Sequence, residues 1–214
     1  MQFKLFDLGL IDFQSAWEFQ KNLFLQVKRK ELISALVICR HLPVITMGRQ
    51  AREENLLSGK EGLEKRKIKL YRIERGGDIT YHGPGQLCVY PILNLALYRK
   101  DINWYLRSLE SLLLDVFSEF GIKARTRQGL TGIWVKEQKI ASIGIAIKSW
   151  ITLHGMSLNV KASDLANFSL IRPCGMDIIM TSMEDILKEN VEVKRVGETL
   201  TRRWHEASNF TGIG

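Results

Sequence analysis

The stretch Arg75-Gly-Gly-Asp-Ile-Thr-Tyr-His-Gly-Pro-Gly-Gln86 constrains this fold more than any other part of the chain. It holds four glycines and a proline within twelve residues. Glycine at that density costs backbone entropy and gives no packing in return. It suits backbone that passes close to something or adopts positive φ. Strand-like sequence flanks it, Lys69-Leu-Tyr-Arg-Ile-Glu74 before and Leu87-Cys-Val-Tyr-Pro-Ile92 after. A turn joining two strands accounts for the glycines and the proline. The polar residues Asp78, Thr80, Tyr81 and His82 point instead to a binding loop facing a cleft.

The rest of the chain supplies a sheet and helices around that loop. A helix begins near Asp12 or Ser15, with Phe13, Trp17, Leu23, Phe24 and Val27 on one face. Ser34–Cys39 is apolar throughout and predicts a strand buried on both faces. His41–Gly48 predicts a second strand broken by a proline, and Arg49–Lys67 a short helix with loops, docked through Asn55-Leu-Leu57. Asp101 or Asn103 caps a helix to Phe120, and Gly121 fits its C′ position. The period then changes to two. Gly132–Val135, Lys139–Ile147 and Ile151–Val160 predict a meander with its first turn at Glu137-Gln138. Ser163–Leu170 is short helix or loop. Two C-terminal helices follow, the first capped by Ser182 with Asp185 at its third position. Helices and strands do not alternate strictly, so the expected class is α+β with a mixed, largely antiparallel sheet. The length predicts one domain over residues 1–214, with the helices from about 182 packed on it.

The net charge is +8, which favours an acidic partner. Clusters such as Lys28-Arg-Lys30, Lys65-Arg-Lys67 and Arg202-Arg203 also fit plain solvated faces. The three cysteines, Cys39, Cys88 and Cys174, are odd in number and widely spaced, which speaks against a disulfide framework or a zinc site. The N-terminal sequence lacks a basic start and an apolar run, and no segment is apolar enough to span a bilayer. A reducing, cytoplasmic setting is expected.

Phosphate-loop and dinucleotide fingerprints are absent, and Ile140 stands where a serine-hydrolase elbow needs its first glycine. The four histidines, His41, His82, His154 and His205, lack close metal-ligand spacing. Cys174 lies between Pro173 and Gly175 on a rigid bend, whereas Cys39 and Cys88 lie in apolar strands as packing residues. A loop thiol becomes a nucleophile when a nearby cation makes its thiolate available. Lys139, at the start of the glycine-bearing strand, is a candidate cation, and Lys136 fits equally well by composition. His154 fits a hydrogen-bonded structural residue or a catalytic helper.

Taken in order, Arg75–Gln86, Lys139-Ile-Ala-Ser-Ile-Gly144, His154-Gly-Met-Ser-Leu-Asn159 and Arg172-Pro-Cys-Gly175 resemble the lipoyl(octanoyl) transferases, also called lipoate-protein ligase B. Arg40–Gly48 is similar to that family's early strand pair. The resemblance implies the biotin/lipoate protein ligase fold. It implies a catalytic pair at Cys174 and Lys139, no cofactor and no metal. It assigns substrate binding to Arg75, Gly76, Gly77, Asp78, Ile79, Thr80, Tyr81, His82, Ser142, Ile143, Gly144, Gly155, Met156 and Ser157, with His154 in support. The implied donor is octanoyl-acyl carrier protein. The implied acceptors are lipoyl domains of 2-oxoacid dehydrogenase E2 subunits and the glycine cleavage H protein.

That chemistry suits the residues. Thiolate attack on a thioester is close to isoenergetic and needs no ATP. A slot between the glycine loop and Ile140–Ile145 would gain about 0.8 kcal/mol for each buried CH₂. Backbone N–H groups near Gly175 or Ser142–Gly144 are the candidate oxyanion donors. Carrier protein and lipoyl domains are typically acidic, which gives the positive charge a docking role. An ATP-dependent lipoate or biotin ligase of the same fold is the alternative, and the Pro-Cys-Gly cysteine discriminates against it. Nucleic-acid binding fits the charge alone, since no binding motif appears. Neither a membrane nor a nucleic acid is expected as partner.

Overall fold

Ser34–His41 and Gln86–Leu93 are neighbouring inner strands of the large sheet, and nearly every residue in them is buried. Strands covered on both faces read as continuous apolar runs. Successive side chains then go to opposite layers. Leu36, Ile38, Leu87 and Val89 join one core cluster, and Ala35, Val37, Cys39, Cys88, Tyr90 and Ile92 join the other.

The computed structural model describes residues 3–210, with the side chains of Lys60, Cys174 and Ser208–Phe210 outside the described set. In chain order the elements are β1 (Lys4–Ile11), α1 (Phe13–Lys28), β2 (Ser34–His41), β3 (Val44–Met47), α2 (Lys60–Lys65), β4 (Lys69–Arg72), β5 (Ile79–His82), β6 (Gln86–Leu93), α3 (Ile102–Glu119), β7 (Arg125–Arg127), β8 (Leu130–Val135), β9 (Gln138–Lys148), β10 (Ile151–Asn159), α4 (Met183–Leu187) and α5 (Val193–Phe210). The seven-stranded sheet has the order β1-β2-β6-β10-β9-β8-β7. Only β1 and β2 pair in parallel within it. A three-stranded sheet, β4-β3-β5, carries the glycine stretch. The α+β class with a mixed, mostly antiparallel sheet matches the expectation.

Helix ends follow their capping chemistry. Asp12 accepts from Ser15 N at 3.1 Å, Asp101 from Trp104 N at 3.0 Å and Ser182 from Asp185 N at 3.1 Å. Gly121 takes φ +71° just after α3. α1 covers one face of the sheet, while α3 and α5 cover the other through residues such as Leu109, Leu113, Val116, Val196 and Leu200. None of the described helices is long and apolar enough to cross a membrane.

The sequence reading differs from the structure in three places. β1 went unread because it is an edge strand, with Leu5 and Leu10 exposed and Asp7 at a break in register. Ile79–His82 is a strand inside the glycine stretch, paired antiparallel to β3, so that stretch is more than a turn. The turn before β9 falls at Lys136-Glu137, one residue early, because Lys136 takes the left-handed conformation at φ +52°.

Candidate active site

The start of the glycine stretch is tied to β9 of the large sheet by a hydrogen bond. Gly76 N–H donates to Ile145 O on β9 at 2.8 Å. Arg75 is buried and braces the stretch from behind. Its guanidinium donates to Thr46 O at 2.7 Å and to Gly76 O at 3.0 Å. The left-handed turn at Gly77, φ +81°, then sends the chain into β5.

Between this stretch and β9–β10 lies a cavity of about 320 Å³. Its walls include Arg75, Gly76, Gly77, Asp78, Ile79, Thr80 and His82 from the glycine stretch. From the opposite side come Lys139, Ser142, Ile143, Gly144, His154, Gly155, Met156 and Ser157. Pro173 lines it too and brings the Arg172–Gly175 turn to the same cavity as Lys139. The side chain of Cys174 lies outside the described residues. Its backbone sits in the 3₁₀ turn Pro173–Gly175.

Tyr81 alone among the expected binding residues is not part of the wall. Its strand neighbours Ile79, Thr80 and His82 reach the cavity, while its own ring packs on Phe168, with centroids 5.7 Å apart. Its hydroxyl accepts from Asn167 at 2.9 Å, and burial pushes its pKa up to about 12. The Gly175 N–H is also committed, donating to Arg172 O at 3.1 Å within the turn. The other proposed oxyanion donors, Ser142–Gly144, lie within β9, paired with Gly155–Ser157 of β10.

Lys139 and Lys136, equal by composition, differ in place. Lys136 is an exposed turn residue, while Lys139 is buried. Lys139 N–H donates to Ile179 O at 2.9 Å, and its carbonyl accepts from Thr181 N at 3.0 Å. Its ammonium lies 5.5 Å from the centroid of Trp134. Gly132 makes room for its stem: a Cβ there would sit 2.6 Å from Lys139 Cε.

A buried polar chain ties the loop to this lysine. His82 Nδ1 lies 3.0 Å from Gln86 Oε1, and Gln86 Nε2 donates to Asn159 Oδ1 at 3.0 Å. Asn159 Nδ2 donates to Thr181 O at 3.0 Å, next to the backbone of Lys139. Sequence reasoning quoted Gln86 and Asn159 only as the ends of motifs. It passed over Glu74 as well, whose carboxylate accepts from Trp17 Nε1 at 3.2 Å and lies 3.5 Å from His154 Nε2.

Burial sets the histidines. It holds His82 near pKa 3 and His41 near 4, and it lowers His154 against the pull of Glu74. All three are neutral at pH 7. Burial raises Glu74 too, but its contacts with His154 and Trp17 outweigh that and bring it to about 2. His154 adopts φ +57°, a conformation rare for a residue with a side chain, and Gln20 Oε1 accepts its N–H at 3.0 Å. Cys39 and Cys88 are buried, and burial drives both thiols upward, Cys88 to about 12. They are inert packing groups, as their strand setting implied.

The family described as the lipoyl protein ligase A/B catalytic domain matches residues 12–204. An octanoyltransferase of Solibacter usitatus is 42% identical over 203 residues, covering 95% of this chain and 91% of its own. One from Clostridium kluyveri is 44% identical over 177 residues, covering 82% and 76%. Among solved structures, a lipoate-protein ligase A bound with ATP superposes with TM-score 0.80 at 18% identity, covering 98% of this chain and 86% of that one. A biotin protein ligase from Aquifex aeolicus gives 0.57 at 12% identity, covering 99% and 72%. At such identities the structures speak for the fold alone, whereas the sequence relatives and the family model speak for the family. The chain belongs to the lipoyl protein ligase A/B family and, within it, to the octanoyltransferases, which are acyltransferase enzymes.

Proposed function

We propose that the chain takes an octanoyl group from acyl carrier protein, holds it as a thioester on Cys174, and passes it to a lysine of a lipoyl domain. Lipoyl domains of 2-oxoacid dehydrogenase E2 subunits and of the glycine cleavage H protein are the acceptors in this reading. The chain acts as one catalytic unit in the cytoplasm. The observation that carries it is the meeting of the Pro-Cys-Gly turn and a buried lysine on one cavity. A solved relative in fold, from Thermoplasma acidophilum, is described as a bi-partite lipoate protein ligase with its E2 lipoyl domain.

In the first step the Cys174 thiolate attacks the donor carbonyl. A new C–S bond forms, the donor's C–S bond breaks, and the carrier's thiol leaves with a proton. Lys139 supplies the cation that makes the thiolate available. In the second step the acceptor amine attacks the acyl-enzyme, and Sγ leaves as a thiolate beside the same cation. The acyl chain lies along Ile143 and Met156. Its six methylenes gain on the order of 5 kcal/mol on burial.

The test omits nucleotide. Octanoyl-acyl carrier protein and a lipoyl domain should give octanoylated domain without ATP, and free octanoate should give none. A requirement for ATP with the free acid would favour the ligase alternative instead.

A further inference from the structure

The Arg172–Gly175 turn separates two hollows. Pro173 faces the acyl cavity, while Arg172 and Gly175 line a second, polar cleft of about 540 Å³. Gln50, Gly77 and Asp78 belong to both, so the two meet at those residues. Asp78 is the carboxylate at the junction and is 8% exposed. Its Oδ2 accepts from Asn55 Nδ2 at 2.5 Å, while its Oδ1 has no hydrogen-bond partner among the described residues. Asn55 also anchors the turn. Its carbonyl accepts from Arg172 N at 2.8 Å, and its Oδ1 is 3.7 Å from where a Cβ on Gly175 would lie.

A buried carboxylate oxygen without a donor has lost its water and gained no partner, so an arriving donor is favoured there. The other charges of the cleft are already matched. Arg172 pairs with Asp177 at 3.0 Å and Arg52 with Glu54 at 3.4 Å. Asp78 is therefore the unmatched charge at the floor. The terminal torsion of an aspartate is soft, so Oδ1 can turn into the cleft without a change of χ1 rotamer.

We infer that the polar cleft admits the acceptor lysine and that Asp78 receives its amine. This rests on the octanoyl-transfer reading above. The lysine enters as an ammonium, with three donors and no acceptor, and loses one proton to solvent. Its nitrogen lone pair then forms the N–C bond, and the carbonyl π pair moves to oxygen. That pair returns as the C–S bond breaks and Sγ leaves with its electrons. The surplus proton on nitrogen passes to Asp78 and from there to solvent. Donor and acceptor thus reach Cys174 from opposite sides of its turn.

The experiment separates the half-reactions. Wild-type and Asp78→Asn proteins are acylated with octanoyl-acyl carrier protein, then chased with a lipoyl domain or with hydroxylamine. Asp78 lies on both hollows, so Asp78→Asn can lose some acylation, but that loss should be far smaller than its loss in transfer, and the acylated variant should release its acyl group to hydroxylamine normally. Its transfer to the lipoyl domain should fall about 100-fold, in the range of a lost proton acceptor. Transfer at the wild-type rate, or equal losses in acylation and transfer, would overturn the assignment. A wild-type protein that does not acylate would sink the octanoyl-transfer reading and this assignment with it. A second measurement leaves Asp78 intact. Cys174→Ala protein should bind a lipoyl domain at least about tenfold more tightly than a domain with Met at the acceptor position, a modest share of what a buried charge pair contributes. Equal binding would also overturn it.

Discussion

Gly132→Ala tests how the structure places Lys139, the cation of the proposed mechanism. Gly132 takes φ +123°, and a Cβ there would lie 2.6 Å from both Ala141 O and Lys139 Cε. The carbonyl belongs to β9 and cannot retreat, so β8 and the lysine stem must give way. A side chain held in that backbone region costs on the order of 1–3 kcal/mol. For a chain of this size that lowers Tm by roughly 2–12 °C. A catalytic group displaced by about 1 Å loses on the order of 100-fold in rate. Gly121→Ala is the control. Gly121 is also left-handed, at φ +71°, but a Cβ there meets nothing within 4 Å, and it lies after α3 rather than at the cavity. Thermal unfolding and the rate of Cys174 acylation are measured for both. Both variants should lose stability, and only Gly132→Ala should lose acylation. Acylation at the wild-type rate in Gly132→Ala would refute the argument that this glycine makes room for Lys139.

Three further outcomes follow. Lys139→Met should keep the fold and slow both acylation and transfer; unchanged transfer would remove Lys139 from the chemistry. Shortening the donor acyl chain by two carbons removes about 1.6 kcal/mol of burial, so hexanoyl should be taken roughly 15-fold less well than octanoyl in kcat/KM, and equal use would mean the tail is not buried. Stability should fall on acidification between pH 6.5 and about 4, measured by urea unfolding at pH 7.5 and pH 5. His82 and His41 have folded pKa values of about 3 and 4, depressed by burial, so the unfolded chain binds more protons across that window. Their contribution is complete above 6.5 and is lost as pH drops, by about 1.4 kcal/mol per histidine per unit. A flat profile over that range would show that these histidines do not titrate as buried neutral groups.

Much of the cavity wall was legible because its chemistry is local. Glycines mark where backbone crosses backbone, and Gly76 does bond to β9. Capping residues such as Asp12, Asp101 and Ser182 declare helix starts within three positions. What stayed hidden depends on contacts distant in sequence. Asn55 looked like part of a docking segment, and only the fold brings it against Asp78 and the Gly175 turn. Glu74 read as the end of a strand, yet it meets Trp17 and His154. Lys136 and Lys139 were indistinguishable by composition, and burial separates them. The edge strand β1 had too little buried surface to produce an alternating pattern. Tyr81 was misplaced because its partners, Phe168 and Asn167, lie far away in the sequence.

The most direct test of the whole account is intact-protein mass measurement after incubation with octanoyl-acyl carrier protein, before any acceptor is added. One octanoyl adduct should appear on the wild-type chain, map to Cys174 and disappear when the lipoyl domain is added. Cys174→Ala should show none and transfer nothing. Octanoylated lipoyl domain formed by the wild-type enzyme with no adduct at any time, or formed equally well by Cys174→Ala, would contradict the covalent route.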